Sequence, residues 1–129
     1  MKKVWVNGCF DVLHRGHLEL FKFAKSKGDF LIVGIDSDIR VKQMKGIFRP
    51  FNNQEDRRFF LESIVYVNHV EIFESEEDLE KKIFYFQPDV MIVGSDYKDK
   101  KVVGSQHAKE LIFFDRINGY STTKILENK

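Results

Sequence analysis

The chain holds a single cysteine, Cys9, so no disulfide can form within it, and its four histidines have no paired cysteines with which to build a closed structural zinc set. An excess of one charge is also missing: 21 Lys and Arg face 20 Asp and Glu, and the net +1 makes no general field for a nucleic acid or an anionic membrane. Any anion must therefore be bound locally. No apolar run approaches the roughly 20 residues of a membrane span, and after Lys2 and Lys3 the opening stretch reaches Asn7 well short of the about 7 to 15 apolar residues of a signal-peptide core. The expectation is a cytoplasmic protein without nucleic-acid or membrane partners. What is present, 129 residues that are 43% hydrophobic and 32% charged, suits one domain over 1–129.

Apolar period and punctuation then divide the chain. Residues 4–6 read as a short strand that stops at Asn7 and Gly8, and 18–27 as a helix with apolar residues at 18, 20, 21 and 24. Gly28 and Asp29 end it, and the continuous apolar run 30–35 has the pattern of a strand buried on both faces. A short helix over 37–43 and a loop through Gly46 and Pro50 lead to Asn53, which with Asp56 opens a helix expected to turn Phe59, Phe60 and Ile64 inward. A strand over 70–73 follows, and then a helix opened by Ser75 and Asp78 that ends before Pro88. Residues 89–93 and 111–114 read as strands around a polar loop, and 121–127 as a closing helix. This alternation predicts an α/β fold: a single Rossmann-like parallel sheet with helices on both faces. Ligands of such sheets sit at the carboxyl ends of the strands, which directs attention to the loops after Val6, Ile35, Val93 and Phe114.

The first of these loops carries His14 and His17, three residues apart at the opening of a helix, with Gly16 between them. At that spacing the two imidazoles face the same way, Gly16 admits close approach, and the helix start adds unpaired N–H groups, so the loop suits a polyphosphate. Two histidines without a nearby third ligand make a poor zinc site, and two unemployed surface histidines are the plain alternative. Cys9, at the end of a buried strand, reads as a small apolar filler rather than a nucleophile.

The run Gly8, Cys9, Phe10, Asp11 followed by His14-Arg15-Gly16-His17 resembles the signature of the HxGH nucleotidyltransferase superfamily. Four further segments resemble it in the same order. They are 41–46 with Lys42 and Lys45; Arg49-Pro50 with Glu55-Asp56-Arg57; 94–98 with 103–105; and Gly119-Tyr120-Ser121-Thr122-Thr123. The second and third are similar to bacterial heptose-1-phosphate adenylyltransferases, whereas Arg116 looks more like the glycerol-3-phosphate cytidylyltransferases.

The resemblance implies transfer of a nucleotidyl group from a nucleoside triphosphate to a sugar or polyol phosphate, ATP with heptose 1-phosphate ahead of CTP with glycerol 3-phosphate. It implies Mg²⁺ with the nucleotide and a homodimer. Catalysis would fall to His14, His17, Lys42 and Lys45. The nucleotide would meet Gly8, Cys9, Phe10, Asp11, Gly16, Asp96, Arg116, Gly119, Ser121, Thr122 and Thr123, and the acceptor Arg57, Tyr97 and Lys98. Each has a plainer reading: solvated lysines, a helix-surface arginine at 57, a loop-stabilising rather than metal-linked Asp11, and Ser121 as a helix cap. A nucleotide-binding module without turnover is the alternative of another class.

Overall fold

Among the described residues, the entries of neighbouring strands are tied to one another by hydrogen bonds, and two aspartates do this for the central strand. Asp29 accepts from the Lys2 N–H at 2.9 Å and returns its own N–H to the Lys2 carbonyl; Asp89 does the same with Lys3. The computed structural model describes residues 1–115. The elements are β1 (Lys3–Gly8), α1 (Arg15–Lys25), β2 (Phe30–Asp36), α2 (Asp38–Lys45), α3 (Gln54–Glu62), β3 (His69–Phe73), α4 (Glu76–Phe86), β4 (Val90–Gly94) and β5 (Glu110–Phe114). Short 3₁₀ turns at Ser95–Tyr97 and Ser105–His107 punctuate the β4–β5 connection. The helix expected over 121–127 lies outside the described residues.

All pairings are parallel and the strand order is β3-β2-β1-β4-β5. Strand alternation divides the core into two layers. Val4, Val6, Leu31, Val33, Ile35, Val90 and Ile92 pack on one face with Phe21 and Ala24 of α1 and Leu61 of α3. Trp5, Ile32 and Met91 pack on the other with Leu79 and Ile83 of α4. Helices thus cover both faces, as the unbroken apolar strands required. Gly34 sits where a Cβ would lie 2.7 Å from the Trp5 ring, so the indole occupies the space a side chain would need.

Side-chain caps set the helix starts. Ser37, Asn53 and Ser75 accept from the N–H of Arg40, Asp56 and Asp78. Two expectations need correction. Helix α1 begins at Arg15, three residues before the apolar period does, because the His14 side chain caps it. In α3, Phe59 and Phe60 are exposed, at 67% and 43%, while Arg57 and Leu61, one turn apart, are buried. The polar partners of Arg57 at the end of β2 fix the rotation of the helix, and the phenylalanines turn outward with it.

Candidate active site

A cleft of about 640 Å³ runs along the carboxyl edge of the sheet, and residues at the ends of all five strands line it, among them Gly8, Asp36, Phe73, Gly94 and Phe114. Its centre is the β1–α1 loop, next to the point where strand order reverses between β1 and β4. Phe10 sets the course of that loop: its backbone is left-handed at φ 49°, and its ring is buried against Phe21 at 5.0 Å and His17 at 5.3 Å. A Cβ on residue 8 would come within 3.0 Å of the same ring. The buried aromatic therefore pins the loop from below and leaves Gly8, Cys9 and Asp11 on the cleft wall.

The two histidines close α1 reciprocally. His14 Nδ1 accepts from the Gly16 N–H at 3.1 Å, and His17 Nδ1 accepts from the His14 N–H at 3.2 Å. Their rings stack with centroids 3.8 Å apart and planes 24° from parallel. A neutral imidazole carries one acceptor and one donor nitrogen, so backbone bonds to both Nδ1 atoms assign the ring protons to Nε2. Both rings line the cleft together with Gly16, at the positive end of the helix.

Asp11 settles into the loop-stabilising role. Its buried carboxylate accepts from Arg49 Nε at 3.0 Å and from the N–H groups of Phe51 and Asn52 at 2.7 and 2.8 Å, and its carbonyl accepts from the Asn52 amide. With its oxygens so engaged it ties the β1–α1 loop to the segment between α2 and α3. Arg57 requires a correction: it is neither a surface arginine nor a cleft residue. At 1% exposure it donates to the carbonyls of Asn52, Cys9 and Asp36 and pairs with Asp38 at 2.9 Å. Its place is behind the wall.

The two lysines of α2 separate. Lys45 lies one turn beyond the buried Val41 and lines the cleft; Lys42, about 100° around the helix from Val41, does not. On the β4–β5 side Asp96 and Tyr97 line the cleft and Lys98 does not, being exposed beyond the turn. A Cβ on residue 94 would approach the Asp96 carboxylate to 2.5 Å, so glycine there lets that carboxylate fold back over the end of β4. Cys9 is half-buried, and burial pushes its thiol above the usual range despite nearby Arg57 and Lys45, which does not favour a nucleophilic thiolate. Arg116, Gly119, Ser121, Thr122 and Thr123 lie outside the described residues.

Among the described residues, charged cleft residues outside the expected set include Arg40, Arg49, Glu76 and Lys101. Asp36 joins them at the end of β2, where its carboxylate accepts from Arg40 Nε at 2.7 Å. Burial pushes the Asp36 carboxyl up against the pull of that arginine. The signal for the pair was available, since Asp36 and Arg40 are four residues apart across the start of a helix capped by Ser37.

The sequence profile of the cytidylyltransferase-like family matches residues 5–128. The bifunctional protein HldE of a Nitratiruptor species is 48% identical over 124 residues, which cover 96% of this chain and 27% of that protein. The protein of the same name from Helicobacter pylori (strain Shi470) is 44% identical over 126 residues, 98% of this chain and 27% of its own length. The chain thus spans little more than a quarter of these curated relatives. In three dimensions it is similar to the lipopolysaccharide core biosynthesis protein from Thermoplasma volcanium GSS1, with a TM-score of 0.75 at 22% identity, covering 92% of this chain and 99% of that one, a likeness of fold.

Proposed function

The chain belongs to the cytidylyltransferase-like family and is a nucleotidyltransferase, and from that premise we propose that it transfers the adenylyl group of ATP to heptose 1-phosphate with release of pyrophosphate. The observation that carries the reading is the paired capping of α1 by His14 and His17, which holds both imidazoles through Nδ1 at the positive end of a helix, on the wall of a cleft at the strand ends. An acceptor phosphate oxygen attacks the α-phosphorus, the new O–P bond forms, and the bond to the pyrophosphate oxygen breaks. A phosphomonoester has its second pKa near 6 and is largely ionised at pH 7, so the step needs no strong base. Alignment and neutralisation of charge then supply the rate. Hydrogen bonds from the two imidazoles strengthen as charge grows on the phosphate oxygens, and Lys45 adds formal charge from the end of α2.

Arg116, Ser121, Thr122 and Thr123 enter this proposal through the family resemblance alone, as holders of the triphosphate. Mg²⁺ is proposed to arrive with the nucleotide, where it would neutralise triphosphate charge. Asp11, already engaged by three donors, is a poor ligand for it, and among the described residues no three His, Cys, Asp or Glu side chains are grouped to hold a metal.

The choice of ATP and heptose rests on the Arg49-Pro50 and Glu55-Asp56-Arg57 segment and on the 94–105 loop, which resemble the adenylyltransferases. CTP with glycerol 3-phosphate is the alternative that Arg116 favours. A homodimer in the cytoplasm completes the proposal, supported by apolar side chains left exposed on α3 and the loop before it, with Phe48 at 91% and Phe59 at 67%. The deciding assay crosses ATP and CTP with heptose 1-phosphate and glycerol 3-phosphate and follows pyrophosphate. ATP with the heptose is the expected pair. CTP with glycerol 3-phosphate alone would reassign base and acceptor, and silence in all four would return weight to a binding module or another acceptor.

A further inference from the structure

The two ends of the cleft differ in chemistry. Toward β4 and β5 the wall carries Tyr97, Val102 and Val103, aromatic and aliphatic surface of the kind that receives a flat base, with Asp96 and Lys101 beside them. Toward β2 and β3 it is Asp36, Arg40 and Glu76 over the buried rim of Phe73. Between them stand the two histidines and Lys45. In-line transfer places the acceptor and the leaving pyrophosphate on opposite sides of the α-phosphorus, so once the base takes the aromatic and aliphatic surface near β4 and β5 the acceptor must approach from another direction.

Arg40 is built to meet it. Its Nε is held by Asp36 at 2.7 Å, its guanidinium lies 5.7 Å from the Phe73 ring centroid, and its side chain is only 19% exposed. A guanidinium fixed on one edge keeps the donors of its terminal nitrogens in a set plane, and among the described residues those nitrogens take no hydrogen bond. Glu76, in the first turn of α4, adds an acceptor at the same end. A donor and an acceptor on the same stretch of wall match a hydroxylated ligand, whose hydroxyls both donate and accept.

We infer that Arg40, oriented by Asp36 and joined by Glu76, recognises the hydroxylated body of the phosphorylated acceptor. This rests on the transfer reaction proposed above. Arg40 is a specificity-determining residue and Asp36 its positioning residue. The test compares the wild-type chain with Arg40→Met, Arg40→Lys and Asp36→Asn in pyrophosphate release, with ATP and heptose 1-phosphate varied in turn and ATP binding followed separately by calorimetry. Arg40→Met is expected to raise KM for the sugar phosphate about tenfold or more, the size of a lost charge-assisted bond, with ATP affinity unchanged. Asp36→Asn shifts the same constant by less, and Arg40→Lys fails to restore it because it lacks the fork. An unchanged acceptor KM in folded Arg40→Met, or a loss shared equally by ATP, overturns the inference and leaves the transfer reaction standing. ATP binding without turnover of any sugar phosphate by the wild-type chain overturns the reaction, and this inference with it.

Discussion

Nη1 of Arg57 donates to the carbonyl of Cys9 at 3.0 Å, and the same nitrogen reaches the carbonyl of Asp36 at 2.7 Å. One buried guanidinium thus joins the loop that presents the histidines to the strand end that presents Asp36. Its other nitrogens hold Asn52 and Asp38, so the entry to α3, the cap region of α2 and the β1–α1 loop meet on a single side chain.

Arg57→Leu is therefore expected to destabilise the fold by at least about 1 to 3 kcal/mol, the cost of a buried group left unsatisfied, because the carbonyls of Cys9 and Asp36 lose their donor. Arg57→Lys recovers little of this, since an ammonium cannot span carbonyls that a planar fork reaches. Urea unfolding of both variants checks it, and a loss under about 1 kcal/mol for the leucine variant would show that the network bears little of the stability.

The histidines allow capping to be separated from chemistry at one position. Asparagine is a good N-cap, so His14→Asn keeps the bond to the Gly16 N–H while removing the ring donor; His14→Ala removes both. Both variants should lose about a hundredfold or more in kcat, as for loss of one donor to developing charge. Only the alanine variant should also lose about 0.5 to 2 kcal/mol of stability. Steady-state kinetics beside melting curves read the two effects independently, and an asparagine variant with near wild-type kcat would remove His14 from the reaction.

Much of this was legible because it is contiguous in the chain. Strands buried on both faces, such as Phe30–Asp36, leave unbroken apolar runs, and the β1–α1 loop carries Gly8, His14, Gly16 and His17 within one short stretch. What escaped depends on rotation and on long-range pairing. Arg40 and Lys42 look alike in sequence, and only the seating of Val41 decides which faces the cleft. Arg57 beside Arg58 in a charged run has the pattern of a helix surface, and its burial comes from carbonyls as far back as Cys9. For the same reason the aromatic period of α3 misled: polar partners, not Phe59 and Phe60, chose its inward face.

The division of the α2 lysines gives a kinetic contrast. Lys45→Ala should lower kcat/KM for the nucleotide by about tenfold or more, the order expected for a charge-assisted hydrogen bond to phosphate, whereas Lys42→Ala should remain within about twofold. Parallel kinetics of the two variants decide it. Equal losses would mean that α2 presents both lysines to the triphosphate.

At the opposite edge of the sheet, Asp89 offers a stability test that leaves the cleft untouched. The Lys3 N–H donates to its carboxylate at 2.8 Å and Lys109 lies 3.3 Å away, and this backbone bond, more than the lysine, holds the carboxyl below the usual aspartate range. A depressed folded pKa contributes stability that is fully present above the unfolded value, about 3.9, and disappears as pH falls through the lower folded one. Asp89→Ala should therefore melt lower than wild type at pH 7, and the difference should narrow steadily as pH drops below about 4. Because Asp89 immediately precedes β4 and the cleft lies at that strand's carboxyl end, kcat at pH 7 should be unchanged at temperatures where both forms are folded. Thermal unfolding across that pH range reads the sign directly: a gap that widens toward acid would mean that burial, not the Lys3 bond, governs this carboxylate.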